Sequence, residues 1–308
     1  MEPPVQKTNP GPNVYFEGLP RGRMAAIPRL STRILNRAGP ARTPEDGSSE
    51  FMKALFGKAG LDISGYRNAA LARREAACLR GLGARNAAEG LEILRRFPER
   101  IPSAIDSVLL GVTGFFRDGP IFSYLKSGLI PLLRERRGER LRVWSAACST
   151  GQELYSVAMM LEEAGLLDRC ELVGTDFRPE ALALAKAGVF HGAHFGKTKQ
   201  AEFPENPGPG PVWKMPATLA GRVEWRCRDL LTEMEAGPWD VILWRNMGIY
   251  LVPAAAHALW LRLAAELRPG GFLITGKAEQ APADCGLHRL APSVYQKPGP
   301  LSQSIYAA

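Results

Sequence analysis

The sequence predicts an α/β protein: a parallel sheet covered on both faces by helices, preceded by a small all-helical segment. Three observations carry this. From residue 141 onward, short apolar runs alternate with segments of helical spacing, the pattern of successive strand–helix units. The run 141–147 breaks into Cys148-Ser149-Thr150-Gly151 and then becomes helical, with Leu154, Val157, Ala158 and Leu161 on one face. Upstream, residues 52 to about 102 carry helical apolar spacing and no strand-like run.

Composition narrows the function classes. The 308 residues are 45% hydrophobic and 23% charged, ordinary for a globular protein in water. No apolar run is long enough to span a bilayer. Met1 opens a Pro-rich polar stretch with no apolar leader core, so a cytoplasmic protein is expected. Five scattered cysteines without metal-ligand spacing read as reduced thiols, and four histidines form no HExxH pattern. A net charge of +8 admits nucleic acid, membrane surface or an acidic protein as partner. No Lys/Arg block interleaved with aromatics is present, so specific nucleic-acid binding is not expected.

Residues 1–51 are rich in Pro, Gly and Arg without periodicity and predict a disordered leader. Gly47-Ser48-Ser49-Glu50-Phe51 before Met52 has the look of a cloning scar, which would make this leader vector-derived. Residues 52–135 predict a helical domain and linker helix. Leu71, Ala72, Ala76, Leu79 and Leu82 share one face, and a second helix over 87–97 turns Leu91, Ile93 and Leu94 inward. The positive excess here suits an acidic macromolecular partner. Phe115-Phe116-Arg117 lies at a loop-to-helix junction, and a helix continues to about Arg136.

Residues 136–308 predict the α/β domain. Gly151 would let a ligand approach the backbone at a helix N-terminus. The second strand, 170–175, ends in Asp176, about 25 residues past Gly151, where a carboxylate can accept from two ribose hydroxyls. Pro179 opens a helix. An insert at about 190–222 is Pro/Gly-rich and predicts no regular element. Strands follow at 223–227 and 240–244, the latter ending in Arg245-Asn246. A helix over 254–267 stops at Pro269-Gly270-Gly271, a strand runs 272–275, and residues 287–296 predict a closing hairpin. No GxGxxG stands at the first turn, so no pyrophosphate cradle is expected.

Taken together, LLGVTGFFRD, SAACSTGQELYS, VGTDF, RNMGIYL and LRPGGFLITGKAE, in this order and spacing, resemble the CheR family of chemotaxis receptor glutamate methyltransferases. The resemblance runs from about Met52 to the C-terminus. It implies a Rossmann-like class I methyltransferase sheet with a small N-terminal all-helical domain, S-adenosyl-L-methionine as cofactor with S-adenosyl-L-homocysteine as product, and a methyl-accepting receptor or other acidic signalling protein as partner. It assigns Thr113 and Arg117 to the methionyl carboxylate and amino end, Glu153 to the amino group or a nearby hydroxyl, and Asp176 to the ribose. Asp229 and Leu230 flank the adenine. Arg245 and Asn246 line the methionyl pocket, Tyr250 stands near the point of methyl transfer, and Arg134 orients the substrate carboxylate.

Several positions depart from the family pattern. Gly111 stands for an Asn, Gln152 for a Glu, Leu154 for a Pro, and Lys277-Ala278 for His-Ser before the retained Glu279. Such changes remove hydrogen bonds worth ~0.5–1.5 kcal/mol each. The short Pro/Gly-rich insert predicts an incomplete form of the β-subdomain with which the family docks on a receptor tether. A catalytically weak or inactive cofactor-binding signalling module of the same family is therefore the alternative reading. An enzyme of this fold acting on a small molecule or nucleic acid is the third.

Overall fold

The structure is a computed structural model and describes residues 49–109, 111–136, 138, 140–191 and 212–299. The expected leader lies outside the described residues except for its last three, and those belong to the fold. Ser49 accepts from the Met52 N–H at 3.2 Å and caps helix α1 (Glu50–Lys58), while Phe51 is fully buried. The described chain is thus structured ahead of Met52.

Helices α2 (Asn68–Leu82), α3 (Ala87–Arg96) and α4 (Ile101–Val108) complete the helical segment. Gly83, at φ 74°, ends α2 in the left-handed region that favours glycine. Asn86 caps α3 by accepting from the Glu89 N–H. The buried face of α2 is Ala70, Leu71, Cys78 and Leu82. Ala72 and Ala76, expected inside, are exposed, because the larger side chains gain more from burial and set the rotation.

These helices have no core of their own. Phe56, Leu71, Leu94 and Ile105 join Trp144, Ile242, Trp244 and Leu273 of the sheet in one apolar cluster. The expected helix to Arg136 appears as α5 (Gly119–Tyr124) and α6 (Ile130–Glu135), joined by a π-helical stretch, Leu125–Leu129. Pro131 in the first turn of α6 lacks an N–H, which interrupts the regular ladder there.

The α/β part holds strands β1 (Leu141–Ala146), β2 (Cys170–Asp176), β3 (Val189–His191), β4 (Val212–Lys214), β5 (Val223–Cys227), β6 (Trp239–Trp244), β7 (Leu267–Thr275), β8 (His288–Ala291) and β9 (Val294–Gln296). Its helices are α7 (Gln152–Glu163), α8 (Pro179–Ala187), α9 (Ala217–Ala220) and α10 (Pro253–Glu266). The main sheet runs β5-β2-β1-β6-β7-β9-β8, parallel except for the terminal hairpin. Side chains of the central strands alternate: Val143, Val241, Leu243 and Phe272 face the cluster formed with α5–α7, while Trp144, Ile242, Trp244 and Leu273 face the other, and Trp239, ahead of the register shift with β7, joins the second. Both faces are covered, which is why the central strands read as continuous apolar runs.

Two expectations change. The insert is not wholly irregular: β3 and β4 pair antiparallel, with Phe190 opposite Trp213, and α9 follows. Pro269-Gly270-Gly271 does not end a helix before a strand but lies inside β7, where the pairing with β6 shifts register. Among the described residues no helix is long and apolar enough to cross a membrane.

Candidate functional site

The sheet grows outward from β1 in both directions, to β2 and β5 and then back to β6 and β7. At such a switch point the loops after neighbouring strands part and leave a crevice at their carboxyl ends. An open cleft of about 860 Å³ lies there. Thr113, Arg117, Glu153, Asp176, Asp229, Leu230, Arg245, Asn246 and Tyr250 all line it. Of the side chains assigned a role from the sequence, Arg134 does not. It is exposed on α6, where its guanidinium donates to the Ala164 carbonyl just past α7. The arginine-rich end of that helix blurs the register from which the role was assigned.

One end of the cleft is built on Asp176. Its carboxylate is 3% exposed, and the Ser149 N–H donates to Oδ2 at 2.8 Å. Arg178 grips the same carboxylate. Its backbone N–H and Nε donate to Oδ1 at 3.1 and 2.9 Å, and its Nη2 to Oδ2 at 3.2 Å. Tyr66, Leu109, Phe177 and Leu230 supply apolar wall beside it. Asp229 accepts from the Leu231 N–H at 3.0 Å, which fixes the turn after β5.

The other end is built on Arg245, whose side chain is 1% exposed. Nη1 meets Glu153 Oε2 at 2.6 Å, Nη2 meets Asp118 Oδ2 at 2.7 Å, and the guanidinium lies 5.4 Å from the Phe122 ring centroid. Lys277, at 3.0 Å, pairs with the other oxygen of Asp118. Arg245 Nε, buried, has no hydrogen-bond partner among the described residues. Arg117 donates to the Val112 carbonyl at 2.6 Å and stays partly exposed. Ala147, Ser149 and Asn246 line the cleft with φ of 59°, 54° and 60°, strained values for side-chain-bearing residues and held by the surrounding fold.

The small-residue turn works differently from expectation. Gly151 does not line the cleft. A Cβ there would meet Trp225 at 2.6 Å and Ala185 at 3.0 Å, and its φ is 86°, so glycine serves packing and backbone conformation. Ala147, Cys148 and Ser149 form the lining instead. Gln152 and Leu154 also face elsewhere: Gln152 Oε1 accepts from Thr150 Oγ1 at 2.7 Å, and Leu154 is fully buried in the core. Their departure from the family pattern removes no cleft wall. Gly111 does line the cleft, and a Cβ there would fall on the Arg178 guanidinium. Burial pushes the Cys148 thiol well above its usual range, so it is an inert wall.

Tyr66, Asp118, Phe177 and Arg178 were not singled out in the sequence. Tyr66 is 4% exposed, and its hydroxyl is pushed up first by burial and then by Asp229 and Asp176. It enters because Tyr66 bridges Leu251 in an antiparallel contact, with the Arg67 N–H donating to the Tyr250 carbonyl at 2.8 Å. The pair Gly65-Tyr66 between two helices carries no motif that would reveal this.

A family model for the SAM-binding domain of CheR methyltransferases matches residues 111–293, more than half of the chain. The chain belongs to the CheR methyltransferase family. It is 29% identical to a chemotaxis protein methyltransferase of Listeria monocytogenes over 80% of this chain and 95% of that protein. It is 32% identical to chemotaxis protein methyltransferase 1 of Pseudomonas aeruginosa, over 62% of this chain and 77% of that one. A chemotaxis protein methyltransferase of Pseudomonas putida is 33% identical over 57% of this chain and 68% of its own length. The fold is the Rossmann-like class I methyltransferase sheet, and S-adenosylmethionine is the cofactor.

The cleft suits that molecule on its own terms. The apolar wall of Leu109, Phe177 and Leu230 fits a planar base, and the adjoining carboxylate of Asp176 fits a diol. At the far end, the guanidinium of Arg117 and the carboxylate of Glu153, both on the cleft wall, fit an amino-acid group carrying both charges.

Proposed function

We propose that this chain transfers the methyl group of S-adenosylmethionine to glutamate side chains of a chemoreceptor, forming carboxyl methyl esters in the cytoplasm. One observation carries the choice of acceptor. Among the described residues lining the cleft there is no histidine or lysine, and Glu153 and Asp176 are both committed to arginines. The third carboxylate of the wall, Asp229, is anchored by the Leu231 N–H in the turn after β5, so among the described residues the cleft offers no imidazole or amine to take a proton. An acceptor already ionised at neutral pH needs none, and a glutamate carboxylate is one.

The cofactor supplies an activated methyl group and leaves as S-adenosylhomocysteine. The protein's task is then to position and desolvate the acceptor. Asp176 holds the ribose, with Asp229 and Leu230 about the adenine. Thr113, Asn246, Glu153 and the Arg245 it pairs with bound the methionyl end. Arg117 takes the substrate-orienting role that Arg134 cannot reach: a partly exposed guanidinium on the cleft wall, with no carboxylate partner among the described residues. Tyr250 adds a hydroxyl at the acceptor side. Acidic receptor helices suit the chain's net charge of +8.

Incubation with radiolabelled S-adenosylmethionine and membranes bearing the host's receptors tests this. Base-labile label on receptor protein is expected. Calorimetric binding of the cofactor without transferred label would support the cofactor-binding module instead. Asp176→Ala is expected to abolish cofactor binding, and retained micromolar affinity overturns the ribose assignment.

A further inference from the structure

Arg178 and Gly111 lie against one another on the cleft wall, and neither has a role in the scheme above. The Asp176 carboxylate has about four acceptor sites. Ser149 N, Arg178 N, Arg178 Nε and Arg178 Nη2 supply four donors to it, at 2.8 to 3.2 Å. The carboxylate read as the ribose acceptor is therefore saturated from within the protein, and two of its four donors come from one side chain. That side chain is 10% exposed and borders the cleft. A Cβ at position 111 would fall on the guanidinium where it now lies, so glycine there leaves it room. A second carboxylate waits beside it: Arg178 Nη1 already lies 3.3 Å from Asp106 Oδ1 on α4, and Asp106 is 39% exposed at its side chain.

We propose that Arg178 sets cofactor affinity as an internal competitor: its guanidinium occupies the ribose-binding face of Asp176 and moves onto Asp106 when the ribose hydroxyls bind. This rests on the assignment of Asp176 to the ribose. The displaced cation does not become an uncompensated buried charge, because Asp106 receives it. Ser149 N and Arg178 N, both backbone donors, stay on Asp176 throughout and keep its orientation. Gly111 is the partner change that makes room for the competitor.

Calorimetry of S-adenosylhomocysteine with the full chain tests this without needing a methyl acceptor. Arg178→Ala is expected to bind about 3- to 10-fold more tightly, the worth of one or two net hydrogen bonds released to the ligand. Arg178→Lys keeps the charge, loses the two-pronged grip and falls between. Asp106→Asn removes the receiving carboxylate and weakens binding by a similar factor, an effect that disappears when Arg178 is already Ala. Such non-additivity identifies a shared element. Unchanged or weaker binding by Arg178→Ala and Arg178→Lys overturns the proposal, as does an Asp106→Asn effect that persists without Arg178. If those variants fail this way while Asp176→Ala still loses binding, the ribose assignment stands and only the competitor falls. If Asp176→Ala binds normally, the assignment itself has failed.

Discussion

At the two ends of strand β6 the protein buries charge in opposite ways. At the start, Asp240 is fully buried and serves as a hub for cations. Arg136 and Arg268 both reach Oδ1, and the Arg142 N–H donates to Oδ2 at 2.9 Å. Arg136 also donates to the Gly270 carbonyl at 2.6 Å, tying α6 to the bulged start of β7. At the other end, Arg245 is the hub and carboxylates surround it, but one of its nitrogens has no partner and it borders the cleft. The first network is closed on itself and has only fold to maintain. The second lies on the wall of the cleft, where Glu153 and Arg245 can meet a ligand. Bordering a cavity, more than charge or burial alone, separates a site from a brace.

That contrast can be broken by mutation. Asp240→Ala should have the largest effect, about 3–5 kcal/mol of lost stability in denaturant unfolding, because it strips the shared, fully buried anion from two half-buried arginines. Cofactor affinity of the folded fraction should not move; a matched loss of affinity would make the two ends one network. Glu153→Ala should reverse the pattern. Asp118 still compensates Arg245, so stability falls less, while S-adenosylhomocysteine affinity drops about tenfold or more, the scale of a charge-assisted hydrogen bond.

Glu279 sharpens the comparison with pH. It is 6% exposed beside Asn246, and burial raises its carboxyl above the ordinary range. The unfolded chain therefore loses this proton first, and stability falls as pH rises from the ordinary carboxylate value toward the raised one. Glu279→Gln should remove that slope and raise the melting temperature at neutral pH, with no gain in acid where both forms are neutral. A variant less stable at neutral pH would show that the ionised form is wanted by the site. Smallest of all, Arg134→Ala should cost about 0.5 kcal/mol from one exposed hydrogen bond and leave methyl transfer unchanged. A collapse of transfer would restore to it the substrate role.

Much of the architecture was legible because it is written locally. Alternating apolar runs marked β1, β2, β5 and β6, and the acid closing β2 marked Asp176, since strand ends in such sheets converge. What was illegible depends on distance. Nothing near Arg178 announces that its side chain fills the space above Gly111, and nothing near Tyr66 announces a bridge to Leu251. Gly151 shows the converse failure: a turn glycine reads as a ligand contact, yet Trp225 from a later strand occupies the space beside it. β3 and β4 escaped because strands of three residues carry too little periodicity to register, and Pro211 and Pro216 beside β4 read as loop.

The bridge between Tyr66 and Leu251 bears on how such a protein could be taken apart or recombined. Backbone bonds run both ways across it, from Arg67 to Tyr250 and from Val252 to Gly65, and the Arg67 side chain reaches the Leu251 carbonyl. The loop that carries Tyr250 is thus hung from the segment between α1 and α2. Exchanging the helical segment for that of a relative is therefore also an edit to residues 250–252. A chimera that respects only the apparent seam near residue 110 would graft a foreign wall onto the cleft, whereas one that transplants both sides of the bridge together keeps it whole.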